Sequence, residues 1–229
     1  MRILGLETSG YSGSVALAEG NQLVAQIILP EKQRTAQGLA PAIAQLLETA
    51  GWRSQQIQLV AVTAGPGSFT GLRVGVMSAK TFAYAVDAEV LAVDTLDVIA
   101  QQAPALRPRI SVVIDAQRNQ LFEATFEHLP SDGWRRLTAT HILDDERWIS
   151  WLQEECRTSD WLVSGSSLTK LGNRLPPGIP SVELANWQPL AATVCAVAWR
   201  DYQTGRRDDL WKLAPDYYRP SAAEEQAKK

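Results

Sequence analysis

The sequence predicts an α/β protein built from two similar halves, and three observations carry that expectation. Short runs of Val, Ile and Leu bounded by turn residues alternate with longer stretches whose apolar residues recur at helical spacing. Read from the N-terminus, those segments follow the order βββαβαβα. The opening rhythm then returns at midchain: "RISVVIDAQRNQLFEATFE" repeats "RILGLETSGYSGSVALAE", with an apolar strand beginning at an arginine, an acid at its end (Asp115 or Glu7), a polar turn and a second strand.

In order, "RILGLET", "GSVALAE" and "LVAQIIL" read as an antiparallel meander turned by "SGYS" and "GN". Residues 37–50 place Leu39, Ile43, Leu46, Leu47 and Ala50 on one helical face, with Pro41 near the first turn and Gly51 past the end. "IQLVAVT", a helix over 71–86 and "EVLAVD" make a βαβ unit, followed by a short helix through Ile99. "APALRPR" interrupts the periodicity with two prolines and marks the expected boundary, dividing the chain into 1–104 and 105–229. Beyond it, "WRRLTATHIL" reads as a third strand and "DDERWISWLQEEC" as a helix capped by Asp144 or Asp145. "DWLVSGSS" is a strand ending in a Gly-Ser turn, and "PLAATVCAVAWRDYQTG" a helix between Pro189 and Gly205. The tail "SAAEEQAKK" is small and charged and reads as frayed.

Composition narrows the function classes. A chain of 229 residues, 45% hydrophobic, can bury a substantial core. Its net charge of −3 and pI of about 5.5 lack the cationic field of an autonomous nucleic-acid binder. Arg135-Arg136 and Arg206-Arg207 read as solvated faces. Cys156 and Cys195 suggest small buried hydrophobes, not a disulfide framework. His128 and His141 read as structural or surface residues, and Trp148, Trp151, Trp161, Trp187 and Trp199 as core or lobe-interface residues; Trp52 finds no role. With no signal-peptide pattern and no run of membrane-span length, a cytoplasmic protein is expected.

The stretch that poses a chemical question is "TAGPGSFTGLRVGVMSAKTFA", residues 63–83. A Walker loop needs Lys and Ser/Thr after its last glycine, where this chain has Leu72 and Arg73. The dinucleotide pattern fits at Gly65 and Gly67 but meets Thr70 at its third glycine. Backbone N–H groups at the helix start, with Ser68 and Thr70, favour an anion. The competing account is a tight turn in which Ser68 or Thr70 caps the helix and Gly71 permits close packing. Both stay open on the residues alone. The helix itself carries few polar residues, and Gly75, Ala79 and Ala83 at i, i+4, i+8 form a stripe without bulk, beside Leu72, Val76 and Phe82. That stripe suits either the first helix of the same half or an outside partner.

Taken together, "ILGLETSGYSGSVAL", "AGPGSFTGLRVGVMSAKTFA", "DAQRNQLFEA" and "PDYYRP" resemble the TsaB family, the partner subunits in bacterial threonylcarbamoyladenosine biosynthesis. The resemblance covers most of the chain. It implies the duplicated actin-like (ASKHA) fold shared with sugar kinases and the Hsp70 ATPase, with a βββαβα-type mixed sheet in each lobe. It also implies a vestigial nucleotide cleft formed by Glu7, Thr8, Ser9, Ser12, Gly65, Gly67, Ser68, Thr70 and Gly71, with Asp115 and Gly165 from the second half. Glu7 stands where such folds normally carry Asp. Thr95 and Ile99 fall where the HxxxH metal motif of the related TsaD transferase would lie, so the resemblance implies a non-catalytic, metal-free scaffold subunit. Its partners would be a TsaD-type transferase, a TsaE-type ATPase in the larger complex, and a second copy when alone, with tRNA contacted only indirectly. No cofactor would be tightly bound, and ATP would belong to the complex interface. The implied partner surface is a helix bundle using Leu39, Ile43, Leu46, Leu72, Gly75, Val76, Ala79, Phe82 and Ala83. The competing function class is a stand-alone phosphotransferase or ATPase with Glu7, Ser9, Thr70 and Asp115 as its polar groups.

Overall fold

A computed structural model describes residues 1–30, 35–155 and 160–218; Cys156 and the tail from residue 219 lie outside the described residues. The chain forms two compact units, one of Met1–Thr95 together with the chain from Leu190 onward, the other of Leu96–Pro189. The division expected at 104/105 therefore falls some nine residues earlier, and the last helix belongs to the first unit and not the second.

In the first unit, β1 (Arg2–Glu7), β2 (Ser14–Glu19) and β3 (Gln22–Ile28) form the expected meander. The helix α1 (Thr35–Ala50), β4 (Leu59–Gly65), α2 (Phe69–Val86) and β5 (Glu89–Asp94) follow, giving a sheet ordered β3-β2-β1-β4-β5. β1 runs antiparallel to β2 and parallel to β4, in the register Leu4↔Leu17 and Leu4↔Val60. Both faces are covered, which explains why β1, β2 and β4 are almost continuously buried and read as apolar runs without alternation. One face packs Leu4, Leu6, Val15, Leu17, Val60 and Val62 against α1 and α2. Across the other lies the last helix, α6 (Ala191–Gln203), whose Ala191 N and Ala192 N donate to Ser14 Oγ (2.9 Å) and Gln26 Oε1 (2.8 Å). Trp52 finds its place here: it packs against the core under the Arg2 guanidinium, 4.5 Å from its ring centroid.

The second unit starts with α3 (Thr95–Gln102), which spans the division, and continues with β6 (Arg109–Asp115), β7 (Gln120–Leu129), β8 (Gly133–Arg136) and β9 (His141–Asp144). It closes with α4 (Asp145–Glu155), β10 (Trp161–Ser164) and the short α5 (Leu168–Leu171). The sheet runs β10-β6-β7-β8, with β9 also on β7. The single third strand expected over "WRRLTATHIL" is thus two. Thr138 breaks it, because its Oγ1 accepts from Thr125 N (2.9 Å) and replaces a ladder bond. Ile99 and Ala100 of α3 cover one face with Ile110, Val112 and Phe126; Trp148, Leu152, Leu168 and Leu171 cover the other with Val113 and Leu121. Each unit thus holds a five-stranded mixed sheet entered through an apolar leading strand and its antiparallel neighbour, the expected repeat, fuller in the first unit than in the second. Among the described residues no helix is long and apolar enough to cross a membrane.

Candidate functional site

β1 ends at Glu7, whose side chain is sealed from solvent. Its Oε1 accepts from Ser9 N (2.6 Å), Ser9 Oγ (2.5 Å) and Gly10 N (3.2 Å), so the carboxyl folds the β1–β2 turn around itself. Oε2 has no hydrogen-bond partner among the described residues. Burial pushes the Glu7 acid up to about 7, against the Ser9 hydroxyl, the Ser9 and Gly10 amides and the Thr63 hydroxyl, which favour the ionised form. A carboxyl so placed is a structural keystone of the turn, not a water-facing ligand.

The glycine loop is seated on that turn. Ser68 N donates to Ser9 O (2.9 Å), and Ser68 Oγ accepts from Gly71 N (3.2 Å), which makes Ser68 the N-cap of α2. The glycines are small because β1's end is in the way: a Cβ on Gly71 would stand 2.0 Å from Thr8 O, and one on Gly75 2.1 Å from Thr8 Oγ1. Glu7, Thr8, Ser9, Gly65, Gly67, Ser68 and Gly71 therefore come together at one end of the first sheet, with Ser12 half-buried in the same turn and Thr70 exposed. Asp115 and Gly165 form a second set, in the other unit. Asp115 Oδ1 accepts from Gln117 N (3.0 Å) and Oδ2 from Lys170 Nζ (2.6 Å). Gly165, at φ 111°, lies against Val113 O.

These arrangements give the four polar groups of the phosphotransferase alternative little to work with. Glu7 is enclosed, Ser9 Oγ is spent on it, Thr70 faces outward and Asp115 is ion-paired. Thr95 and Ile99 are both buried, at 2% and 0% exposure.

The expected partner surface needs correction. Leu39, Ile43, Leu46, Leu72, Gly75, Val76, Ala79 and Ala83 are all buried inside the first unit, and Phe82 is half-buried against the same core. The reason is the one just given: the small stripe of α2 receives Thr8 and the sheet, not another subunit. The outward residues of the two helices are a different set, Ala36, Ala40 and Ala44 on α1 and Arg73, Met77, Thr81 and Tyr84 on α2.

Sequence reasoning missed a buried polar chain in the second unit. Trp148 Nε1 donates to Ser111 Oγ (3.0 Å), and Ser111 Oγ donates to Glu123 Oε1 (2.7 Å). Glu123 Oε2 lies 3.5 Å from His141 Nε2. Burial raises the Glu123 acid, opposed by Ser111, His141 and Arg136. Serine, acid and histidine are present, but the serine donates to the acid and not to the histidine, so no base activates it. Alternation along β7 sets Glu123 with Thr125 and Glu127, opposite Phe122, Ala124 and Phe126, and so reads it as outward; it is buried because β7 is covered on both faces, which the pattern does not announce.

The comparisons with known proteins bear on both units. The family model for TsaD, tRNA N6-adenosine threonylcarbamoyltransferase, matches residues 22–134. The tRNA threonylcarbamoyladenosine biosynthesis protein TsaB of Haemophilus influenzae is 30% identical over 231 residues, spanning 94% of this chain and 98% of its own. The chain belongs to the TsaB family. A second TsaB, from Bacillus subtilis, is 29% identical over 175 residues, 74% of each chain. A Pseudomonas aeruginosa crystal structure, of an uncharacterized protein with similarity to peptidase YEAZ, superposes with a TM-score of 0.83 at 26% identity, covering 95% of this chain and 99% of that one. Membership of the TsaB family thus extends over both units, whereas the TsaD match includes α1, the glycine loop and α2 and stops within the second.

Proposed function

We propose that the chain is a non-catalytic subunit in tRNA threonylcarbamoyladenosine formation, docking on and supporting a TsaD-type transferase. The observation that carries this reading is the division of the matches. The chain shares α1, the loop and α2 with the transferase family, and the resemblance implies that Thr95 and Ile99, which cannot serve as a metal-ligand pair, stand where that family's metal histidines would fall. Docking uses the outward faces of α1 and α2, and the same faces pair with a second copy when the transferase is absent. A TsaE-type ATPase joins the assembled pair, ATP belongs to the complex and not to the isolated chain, and tRNA is held by the partner, in keeping with the net charge of −3. The site of action is the cytoplasm.

Reconstitution tests this. Purified transferase, ATPase and tRNA are supplied with a threonylcarbamoyl donor, with and without the chain, and the modified nucleoside is measured. The expected result is product formation that depends on the chain and is lost with Met77→Arg, an outward substitution that leaves the melting temperature unchanged. Equal product without the chain overturns the accessory role.

A further inference from the structure

Residues 208–217 follow the last helix and its turn, and they are fastened to the first unit along their whole length. Residue 208 makes an antiparallel bridge to Val90, and its carboxylate Oδ2 accepts from Ala92 N (2.7 Å), closing the β5 edge of the sheet. Leu213 is buried in the core shared with α1 and α2, and Leu210 packs against it. Lys80 Nζ donates to the carbonyls of Trp211 (3.1 Å) and Leu213 (3.0 Å). Asp216 N donates to Ala64 O (2.8 Å), and its own carbonyl comes so near that a Cβ on Gly65 would stand 2.8 Å from it.

The strap runs antiparallel to α2. Trp211 meets Tyr84 near the helix C-terminus (ring centroids 5.6 Å), and Tyr217 meets Phe69 in the first turn (4.8 Å). Six residues of strap reach at most about 20 Å at ~3.3 Å each, comparable with the ~22 Å that α2 rises between Phe69 and Tyr84. Helix stripe and strap therefore make one continuous strip: Phe69, Arg73, Met77 and Tyr84 on one side, Trp211 and Tyr217 on the other. Its large side chains are held by fixed backbone yet left open to solvent, Trp211 at 72%, Tyr84 at 68% and Met77 at 59%.

The chemistry of the strip selects the kind of partner. Tyr, Trp, Met and Arg are the residues enriched at protein–protein contacts, and rigid aromatic anchors carry most of the affinity there. The cations do not address a phosphate backbone: Arg73 stacks on Phe69 (3.9 Å) and donates to Tyr217 Oη (2.8 Å), and Lys80 is turned onto the strap carbonyls. The α2 half lies in the 22–134 stretch shared with the transferases, so a TsaD-type chain carries a counterpart helix, and homologous chains pair readily through like elements about a pseudo-twofold axis. The strap half lies outside that stretch.

We propose that the strap is part of the docking surface for the TsaD-type subunit, with Trp211 and Tyr217 as anchor side chains and Lys80 as the clamp that holds them in place. This rests on the docking reading given above and adds to it residues outside the two helices.

The test is calorimetric titration of the full-length chain with the purified TsaD-type subunit, each variant first checked for an unchanged melting curve. Trp211→Ala and Tyr217→Ala are each expected to weaken binding about tenfold or more. Lys80→Met keeps the aliphatic stem and both anchors but removes the two donors; it is expected to weaken binding by a smaller factor, about threefold to tenfold. Leu184→Ala, an exposed apolar residue of the second unit, is the control and leaves affinity unchanged. If Met77→Arg abolishes binding while Trp211→Ala and Tyr217→Ala stay within twofold of the parent, the strap proposal fails and the helix reading stands. If all three bind as the parent does, both fail. If the strap variants lose self-association in sedimentation but keep transferase binding, a second copy is the occupant and the proposal is overturned.

Discussion

Glu7 and Asp115 hold the same position in the two units, the last residue of the leading strand, and the chain treats them in opposite ways. Glu7 is enclosed, takes three hydrogen bonds on one oxygen and none on the other, and has its acid pushed up to about 7. Asp115 is only half-buried and is neutralised by Lys170 at 2.6 Å. The longer glutamate reaches back into its own turn, whereas the aspartate is met by a lysine from the short helix opposite. A shared layout therefore does not imply a shared role: one acid organises a loop, and the other is an ordinary ion pair.

The largest effects should appear where the two units agree. In each, a glycine lets its turn close on the leading strand: Gly71 under Thr8 O, and Gly165 under Val113 O, where an added Cβ would stand 2.0 and 2.1 Å away. The clash in both is with backbone, which cannot swing aside. Gly71→Ala and Gly165→Ala are each expected to cost about 3 kcal/mol or more, read by urea unfolding. A loss below ~1 kcal/mol at either position would mean that its turn can open without consequence.

The next effect belongs to Glu7. Between pH 4.5, the ordinary value for Glu7, and about 7, the folded chain keeps a proton that the unfolded chain releases. Stability should therefore fall as pH rises through that window and level off above it, by about 3 kcal/mol at ~1.4 kcal/mol per pH unit. Glu7→Gln should remove most of that slope in denaturant titrations at pH 5, 6 and 8. Asp115→Asn should cost less than about 1 kcal/mol, as expected of a part-exposed ion pair. Equal slopes in parent and Glu7→Gln would show that the buried acid is compensated in a way the structure does not record.

A smaller effect belongs to the second unit. Ser111→Ala leaves Trp148 Nε1 without its acceptor and Glu123 Oε1 without its donor, for an expected loss of about 1–3 kcal/mol. Tryptophan fluorescence and the thermal midpoint should shift together; an unchanged midpoint would mean that water replaces the hydroxyl.

Much of this was legible beforehand. Periodicity placed α1, α2 and the meander within a few residues, because strand alternation and helical spacing are local properties. The glycine loop's capping by Ser68 was one of two accounts the residues allowed, and the structure supports the close-packing one. What the pattern could not supply was direction. Gly75, Ala79 and Ala83 correctly announced a close approach, but the approaching group is Thr8, 67 residues away from Gly75 in sequence, and no spacing rule names it. The strap was missed for a related reason: its contacts join residues 208–217 to 64–92, and Lys80, the one cation midway along an apolar helix, was the available hint. The division at Thr95 escaped because α6 returns to the first sheet, a matter of topology that composition does not encode.

That return has a consequence for the newborn chain. The inserted unit, Leu96–Pro189, is continuous and can close as soon as it leaves the ribosome, whereas the first unit must wait for α6 to cover Gly5, Ala16 and their neighbours. At ~5–20 residues per second, the hundred-odd residues between β5 and the end of α6 represent about 5–20 s during which one apolar side of a finished meander has no lid. The part synthesised first is thus completed last, and during those seconds it is the most exposed to chaperones and to its neighbours on the same message.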